Sequence, residues 1–193
     1  IKNIAVINKL GLSAIVVHGG GKNIKKKLYQ NNIESKFIDG LRVTDGKTIK
    51  IVEDALLELN FEILNNINDK EAKAQSITPK NGNIIKITPE KKELGFVGSP
   101  EEVNKEIILS IVREKKVPII VPLGIGDDGR IYNINADVAA AAIAKEINSR
   151  RLLLMTDVEG VLDKDKKLIS EINSETANNM INDQSISDGM IPK

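Results

Sequence analysis

Apolar and polar residues fall in blocks that interleave strands with helices. Ser13-Ala14-Ile15-Val16-Val17 is a short apolar run rich in β-branched residues, which reads as a strand, and it stops at His18-Gly19-Gly20-Gly21. Lys22 to Gln30 then reads as a basic helix with Ile24 and Leu28 on one face. From Thr48 to Ile67 the apolar residues Ile51, Val52, Ala55, Leu56, Leu59, Ile63, Leu64 and Ile67 make a helical stripe, with Thr44 or Asp45 placed to cap it. Ala74 to Thr78, Ile84 to Thr88 and Phe96-Val97 are strand-like, and Asn81-Gly82-Asn83 between the first two predicts a hairpin turn. Asn104 to Lys115 predicts a helix, Val117 to Val121 a buried strand, and Ala136 to Ile147 an alanine-rich helix. Arg151 to Thr156 predicts another strand, and Asn173 to Asn182 a weaker helix.

Continuous apolar strands separated by helices predict an α/β fold, a mainly parallel sheet covered on both faces, with the hairpin as an antiparallel excursion. Ligands of such sheets collect beyond the C-terminal strand ends. His18–Gly21, Gly124–Asp128 and Thr156–Gly160 all follow predicted strands, which is where a site is expected.

Composition narrows the chemistry. The 193 residues hold no cysteine and one histidine, which excludes thiol nucleophiles, Cys-ligated zinc and multi-His metal centres, so no metal-ligating set is expected. With 28 basic and 27 acidic residues and only 3% aromatics, neither nucleic acid nor a membrane surface is an expected partner. No apolar run reaches the ~20 residues of a membrane span, and the first residues lack a signal-peptide core. A soluble, cytoplasmic protein is the expectation, and the start without Met and the end at Lys193 read as a piece of a longer chain.

His18-Gly19-Gly20-Gly21 excludes three glycine-loop readings. An esterase oxyanion loop needs a Gly-x-Ser-x-Gly elbow and a second histidine. A dinucleotide fingerprint needs glycine at Ile24, and a Walker loop needs glycine at Val16 and Ser or Thr at Asn23. What remains is a strand-to-helix anion cradle or a plain tight turn; three successive glycines exceed what a turn requires. His18 reads as a structural residue at the strand end rather than a base. Arg42 is either a bidentate carboxylate clamp or a solvated cation. Asn133-Ile134-Asn135-Ala136-Asp137 offers amide donors and acceptors on one side and a carboxylate in the next helical turn, while N-capping by Asn135 alone is the plainer alternative. Thr156 to Asp163 is a nucleotide rest or an acidic surface loop, and Lys193 ends a Pro-containing turn.

Taken in order, Val17–Gly21, Gly40–Asp45, Asn133–Asp137, Thr156–Asp163 and Gly189–Lys193 resemble the motifs of the amino acid kinase family, over essentially the whole chain. The resemblance implies a three-layer αβα sandwich with a mainly parallel open sheet. It also implies ATP-dependent phosphorylation of the side-chain carboxylate of N-acetyl-L-glutamate, as used in arginine biosynthesis, with Mg2+ travelling with the nucleotide. Carried over by position, Gly20 and Gly21 lie against the substrate or the moving phosphate, Arg42 holds the α-carboxylate, and Asn133 and Asn135 bind the acylated amino acid. Asp137 organises the catalytic lysines and Lys193 stabilises the transition state. Asp157, Val158, Glu159, Gly160, Val161, Leu162, Ser185, Ile186 and Ser187 contact ATP.

The family comparison further implies that residues 1–148 form the acyl amino acid and dimerisation lobe, lacking its first strand and a Lys-x-Gly-Gly loop. Residues 149–193 would begin the ATP lobe, so residues 1–193 alone are expected to be inactive. A homodimer or larger homo-oligomer is the family-level expectation. Pro79 departs from a common family glycine, which bears on the predicted hairpin. A kinase of acylated 2-aminoadipate, or a non-catalytic amino-acid-binding relative, are the alternatives.

Overall fold

The computed structural model describes residues 2–69, 72–156, 159–163, 165–186 and 190. Its elements run α1 (Lys2–Lys9), β1 (Val16–Val17), α2 (Gly21–Gln30), β2 (Phe37–Ile38), β3 (Leu41–Arg42), α3 (Thr48–Asn68), β4 (Ala74–Ile77), β5 (Ile85–Pro89), β6 (Gly98–Val103), α4 (Lys105–Arg113), β7 (Val117–Ile120), β8 (Leu123–Ile125), β9 (Ile131–Asn133), α5 (Ala136–Glu146) and α6 (Ser174–Asn182). The helices beginning near Lys22, Thr48, Asn104, Ala136 and Asn173 lie within two residues of their predicted bounds, because apolar period and caps are local signals. Asp45 does cap α3, its Oδ1 accepting from Thr48 N at 2.7 Å and Lys47 N at 3.0 Å. Those bonds hold its carboxyl pKa below the ordinary value.

β7 is the hub. All four of its residues are buried, and it pairs in parallel with β1 on one edge and β4 on the other. Alternation sends Val117 and Ile119 toward Ala5 of α1 and Ile67 of α3. Ile120 faces the opposite way, into a core with Ile108 and Ile111 of α4 and Ala139 and Ile143 of α5. Helices therefore cover both faces of a parallel sheet, the α/β layering expected. Through Val121 and Pro122 the chain passes directly into β8 of a second, mixed sheet ordered β6-β5-β8-β9. Ile24, Leu28, Val52 and Leu56 of α2 and α3 pack on Val121 and Leu123 at that junction.

Four strand expectations need correction. The turn after Thr78 exists, with Gly82 N bonded to Thr78 O at 3.0 Å and Pro79 at a turn position that suits its fixed φ. It does not close a hairpin: β4 pairs with β7, while β5 pairs with β6 and β8 in the other sheet. Turn chemistry reverses the chain but does not choose a partner. Phe96-Val97 precedes β6 instead of forming a strand, and Val97 makes an isolated bridge to Asn133. Only Val16–Val17 of the first predicted strand is paired. Arg151 to Thr156 forms no strand, and Leu153 and Met155 are 73% and 91% exposed. α1, the β2–β3 ribbon and the β8–β9 hairpin carry no strong local pattern and were not anticipated.

A buried polar network crosses the sheet behind the glycine turn. His18 and Asn60 are 7% and 2% exposed. Asn60 Nδ2 donates to His18 Nε2 at 3.1 Å and to Ile119 O at 3.2 Å, and Asn60 Oδ1 accepts from Ser76 Oγ. His18 Nδ1 lies 3.0 Å from Gly19 O. Among the described residues no buried side-chain nitrogen or oxygen lacks a partner, as folding requires of polar groups removed from water.

Burial pushes the His18 pKa below its ordinary 6.5, partly offset by the bond to Gly19. As pH falls through that value the unfolded chain takes up the proton first, so the stability is fully present above it. It is lost progressively on acidification, at up to about 1.4 kcal/mol per pH unit. Denaturant midpoints should therefore fall between about pH 7.5 and about pH 5.5, above the carboxylate range, and His18→Asn should flatten that slope. A flat wild-type profile would show the ring charging freely in the folded state.

Candidate active site

The site grows from the C-terminal end of β1. Pairing of Val17 with Ile120, followed by His18 N to Ile120 O at 3.4 Å, fixes where the chain leaves the sheet. Gly20 is the N-cap of α2 with no side chain capping the helix, and Ile24 N bonds to Gly20 O at 2.8 Å. A Cβ on Gly20 would stand 2.6 Å from Leu56 Cδ2, whereas one on Gly21 would meet nothing within 4 Å. The turn is thus pressed against α3 on one side and open on the other. First-turn amides of an α-helix carry partial positive charge and have no partner within the helix. This end can hold an anion, and a phosphoryl group fits its chemistry.

The second wall is the start of α5. A Cβ on Gly19 would lie 3.8 Å from Ala136 Cβ, which puts the glycine turn beside the Asn133–Asp137 stretch. Ile134 N bonds to Pro122 O at 3.0 Å and Asn133 N to Phe96 O at 3.0 Å, anchoring the approach to the helix. Asn135 takes the plainer role foreseen for it: its Oδ1 accepts from Asp137 N at 2.9 Å and Val138 N at 3.2 Å. That leaves its Nδ2 as the group it can offer a ligand. Asn133 and Asp137 are half-buried.

The third wall comes from β3. Thr44, fully buried, donates from Oγ1 to Arg42 O at 2.8 Å, and Thr44 O accepts from Phe96 N at 2.7 Å. Gly95, at φ +71°, permits the close approach of Thr44 O where a Cβ would collide with it. Since Val97 bridges Asn133, the Arg42–Thr44 segment and the Asn133 segment are stitched together through residues 94–97. A small cavity of about 60 Å³ opens between them, lined by Leu41, Glu90, Val97, Gly98, Ser99, Asn135 and Val138. Ser99 Oγ donates to Glu90 Oε1 at its rim. The Arg42 guanidinium is half-buried, donates from Nη1 to Ser35 Oγ at 2.5 Å and stacks 4.7 Å over the Phe37 ring. Burial lowers its pKa from the ordinary guanidinium value, and a guanidinium keeps its charge regardless.

Gly20, Gly21, Asn133, Asn135 and Asp137 thus belong to one neighbourhood, with Arg42 one residue from its cavity. Glu90, Val97, Ser99 and Val138 were not foreseen, since nothing in their local sequence marks them. The described residues of the predicted nucleotide set make local contacts. Gly160 (φ +146°), Val161 and Leu162 sit in a small turn closed by Ile169 N to Val161 O at 2.8 Å and a Leu162–Leu168 bridge, and Glu159 is exposed. Ser185 donates from N and Oγ to Asp183 Oδ1, and Ile186 N bonds to Met180 O at 2.9 Å, both closing off α6. None of these bonds reaches the glycine turn. Asp157, Val158, Ser187 and Lys193 lie outside the described residues.

Gly124–Asp128 has its own place in the fold. It belongs to the β8–β9 hairpin, where Asp128 Oδ2 accepts from Arg130 Nε at 2.7 Å and Tyr132 Oη at 2.8 Å, so its polar groups serve the turn. A larger open groove of about 470 Å³ lies by that hairpin, lined by Ile125, Gly126 and Asp127 of this segment with Lys86, Glu102, Asn104 and neighbours, and by none of the residues carried over from the family resemblance. Among the described residues no group of three or more His, Asp or Glu could hold a metal ion.

Comparisons with known proteins agree with this geometry. A model of the amino acid kinase family matches residues 1–193. The acetylglutamate kinase of Pelagibacter ubique (strain HTCC1062) is 53% identical over 193 residues, covering 100% of this chain and 67% of its own. That of Campylobacter fetus subsp. fetus (strain 82-40) is 42% identical over 194 residues, covering 100% and 69%; the chain spans about two thirds of such relatives. Among solved structures, smu.665 from Streptococcus mutans UA159 superposes with a TM-score of 0.93 at 31% identity, over 98% of this chain and 78% of its own. Giardia carbamate kinase superposes at 0.69 and 16% identity, over 100% and 75%, which shows a shared fold. A glycine turn set against an Asn-capped helix, in a sequence matched from its first residue to its last, places this chain in the amino acid kinase family.

Proposed function

We propose that the protein transfers the γ-phosphoryl group of ATP to the side-chain carboxylate of N-acetyl-L-glutamate, giving N-acetyl-L-glutamyl 5-phosphate and ADP, in arginine biosynthesis in the cytoplasm. The observation that carries this is 53% identity along the whole chain to a protein named acetylglutamate kinase. The open glycine turn beside the start of α5 supports it.

A carboxylate is already ionised at neutral pH, so attack on phosphorus needs no general base and no covalent enzyme intermediate. Two anions must be held in line and their repulsion reduced. Gly20 and Gly21, at the positive end of α2, present backbone amides to oxygens that gain charge during transfer. Arg42 clamps the α-carboxylate of the acceptor, while Asn133 and the Asn135 Nδ2 hold its acylated end. Asp137 orients the catalytic lysines, among which Lys193 stabilises the transition state. Asp157 to Leu162 and Ser185 to Ser187 receive the nucleotide. ATP, bound with Mg2+, supplies the phosphoryl group together with part of the charge neutralisation. Residues 1–148 serve as the acceptor lobe and 149–193 as the beginning of the nucleotide lobe. A homodimer or larger homo-oligomer belongs to the same reading; apolar side chains stand exposed on α1 and α3, Phe61 at 63%. Among the described residues no helix is long and apolar enough to cross a membrane.

The purified protein, in its natural length, should release ADP on addition of N-acetyl-L-glutamate and yield an acyl phosphate that hydroxylamine traps. An acylated 2-aminoadipate, one methylene longer, should be about 10–200-fold poorer in kcat/KM. Turnover with neither acceptor overturns the proposal, and preference for the longer one redirects it. Arg42→Ala should raise KM for the acceptor by about 10–100-fold, as loss of a charge-assisted hydrogen-bonded pair does, with KM for ATP unchanged. An unchanged acceptor KM would remove Arg42 from the site.

A further inference from the structure

We infer that His18, Asn60 and Ser76 are positioning residues that aim the backbone amides of the glycine turn at the reacting phosphoryl group; this rests on the kinase reading above. The proposed mechanism uses none of the three. Two of them are polar side chains almost wholly removed from water, in a core where apolar residues of similar size would pack without needing partners.

The hydrogen bonds fix every orientation in the series. Asn60 Oδ1 accepts from Ser76 Oγ, so its Nδ2 must point the other way, where it donates to both Ile119 O and His18 Nε2. A ring nitrogen that accepts carries no hydrogen, so the proton of the neutral imidazole resides on Nδ1. Nδ1 is 3.0 Å from Gly19 O and donates to it. In a trans peptide the carbonyl and the following N–H point in opposite directions. Holding Gly19 O toward the buried ring therefore turns Gly20 N–H away from it.

A run of three glycines has no side chains to set its peptide planes and is the most flexible stretch the backbone allows. Without a bond to Gly19 O, the amides would reorient during each transfer instead of standing ready. The series reaches three parts of the scaffold, α3 through Asn60, β4 through Ser76 and β7 through Ile119 O. The turn is thereby referenced to the rigid sheet.

Asn and Gln at position 18 separate the two halves of the series. The Asn amide nitrogen overlays Nδ1 and can still serve Gly19 O; the Gln amide overlays Nε2 and can still meet Asn60, but leaves Gly19 O unheld. In the natural-length enzyme, His18→Asn should keep kcat within about 3-fold. His18→Gln should lower it by about 10–100-fold, the scale of a small misplacement of a reacting group, with acceptor KM within about 2-fold of wild type. Ser76→Ala, which disturbs only the far end, should fold normally and show a smaller loss in the same direction. Equal losses in the two His18 variants, or losses that follow melting temperature alone, would overturn the inference. A second readout needs no turnover: long-range ¹H–¹⁵N spectra of His18 at neutral pH should show the neutral Nδ1–H tautomer. An Nε2–H tautomer or a protonated ring would overturn the inference while leaving the kinase reading intact.

Discussion

Four consecutive buried residues, Val117 to Ile120, set the positions of nearly everything else. A strand buried on both faces and paired on both edges has no freedom of register, because a slip by one residue would exchange its two apolar faces. From that strand the glycine turn receives its place through Val17 and Ile120, and Ser76 comes level with Ile119. The same chain direction carries on to Pro122, whose carbonyl holds Ile134 and so the start of α5. Both walls of the site are thus measured from one rod. Fully burying a branched side chain contributes about 1.5–3 kcal/mol, so Ile119 and Ile120 supply stability and alignment together.

The proposed site combines fixed backbone dipoles with a few formal charges. The chain is nearly neutral overall, and the arginine next to the small cavity is half-buried and already engaged with Ser35 and Phe37. Its bond and stacking restrict the guanidinium, so little side-chain entropy is left there to lose in a further contact. Backbone amides at the mouth of α2 are fixed by the helix itself. Such groups need no reorganisation when charge moves, which is the property phosphoryl transfer rewards.

Helices were legible from sequence because their signals are short-range: apolar residues at three- and four-residue intervals, Asp45 and Asn135 as caps. Strand partnership was not. Ala74–Thr78 and Ile84–Thr88 look like two arms of a hairpin, yet β4 pairs with the distant β7 while β5 pairs with β6 and β8 of the other sheet. The glycine turn and the Asn133–Asp137 stretch were readable since their residue types are unusual for ordinary turns. Glu90, Ser99 and Val138 were not, since only tertiary folding brings them to the cavity. Asn60 could have been noticed: it falls four residues after Leu56, on the buried stripe of α3, where an amide has no reason to sit unless something polar awaits it.

The stretch from Arg151 to Met155 carries its own consequence. It joins no strand among the described residues, and Leu152, Leu153 and Met155 are presented to water. A ribbon of that kind is adhesive, able to zip onto any free strand margin it encounters, including that of an identical molecule. Arg150 and Arg151 at its start act as electrostatic gatekeepers, since like charges must be stacked for such molecules to align. Salt screens that repulsion, so it loosens the guard the two arginines set against such pairing.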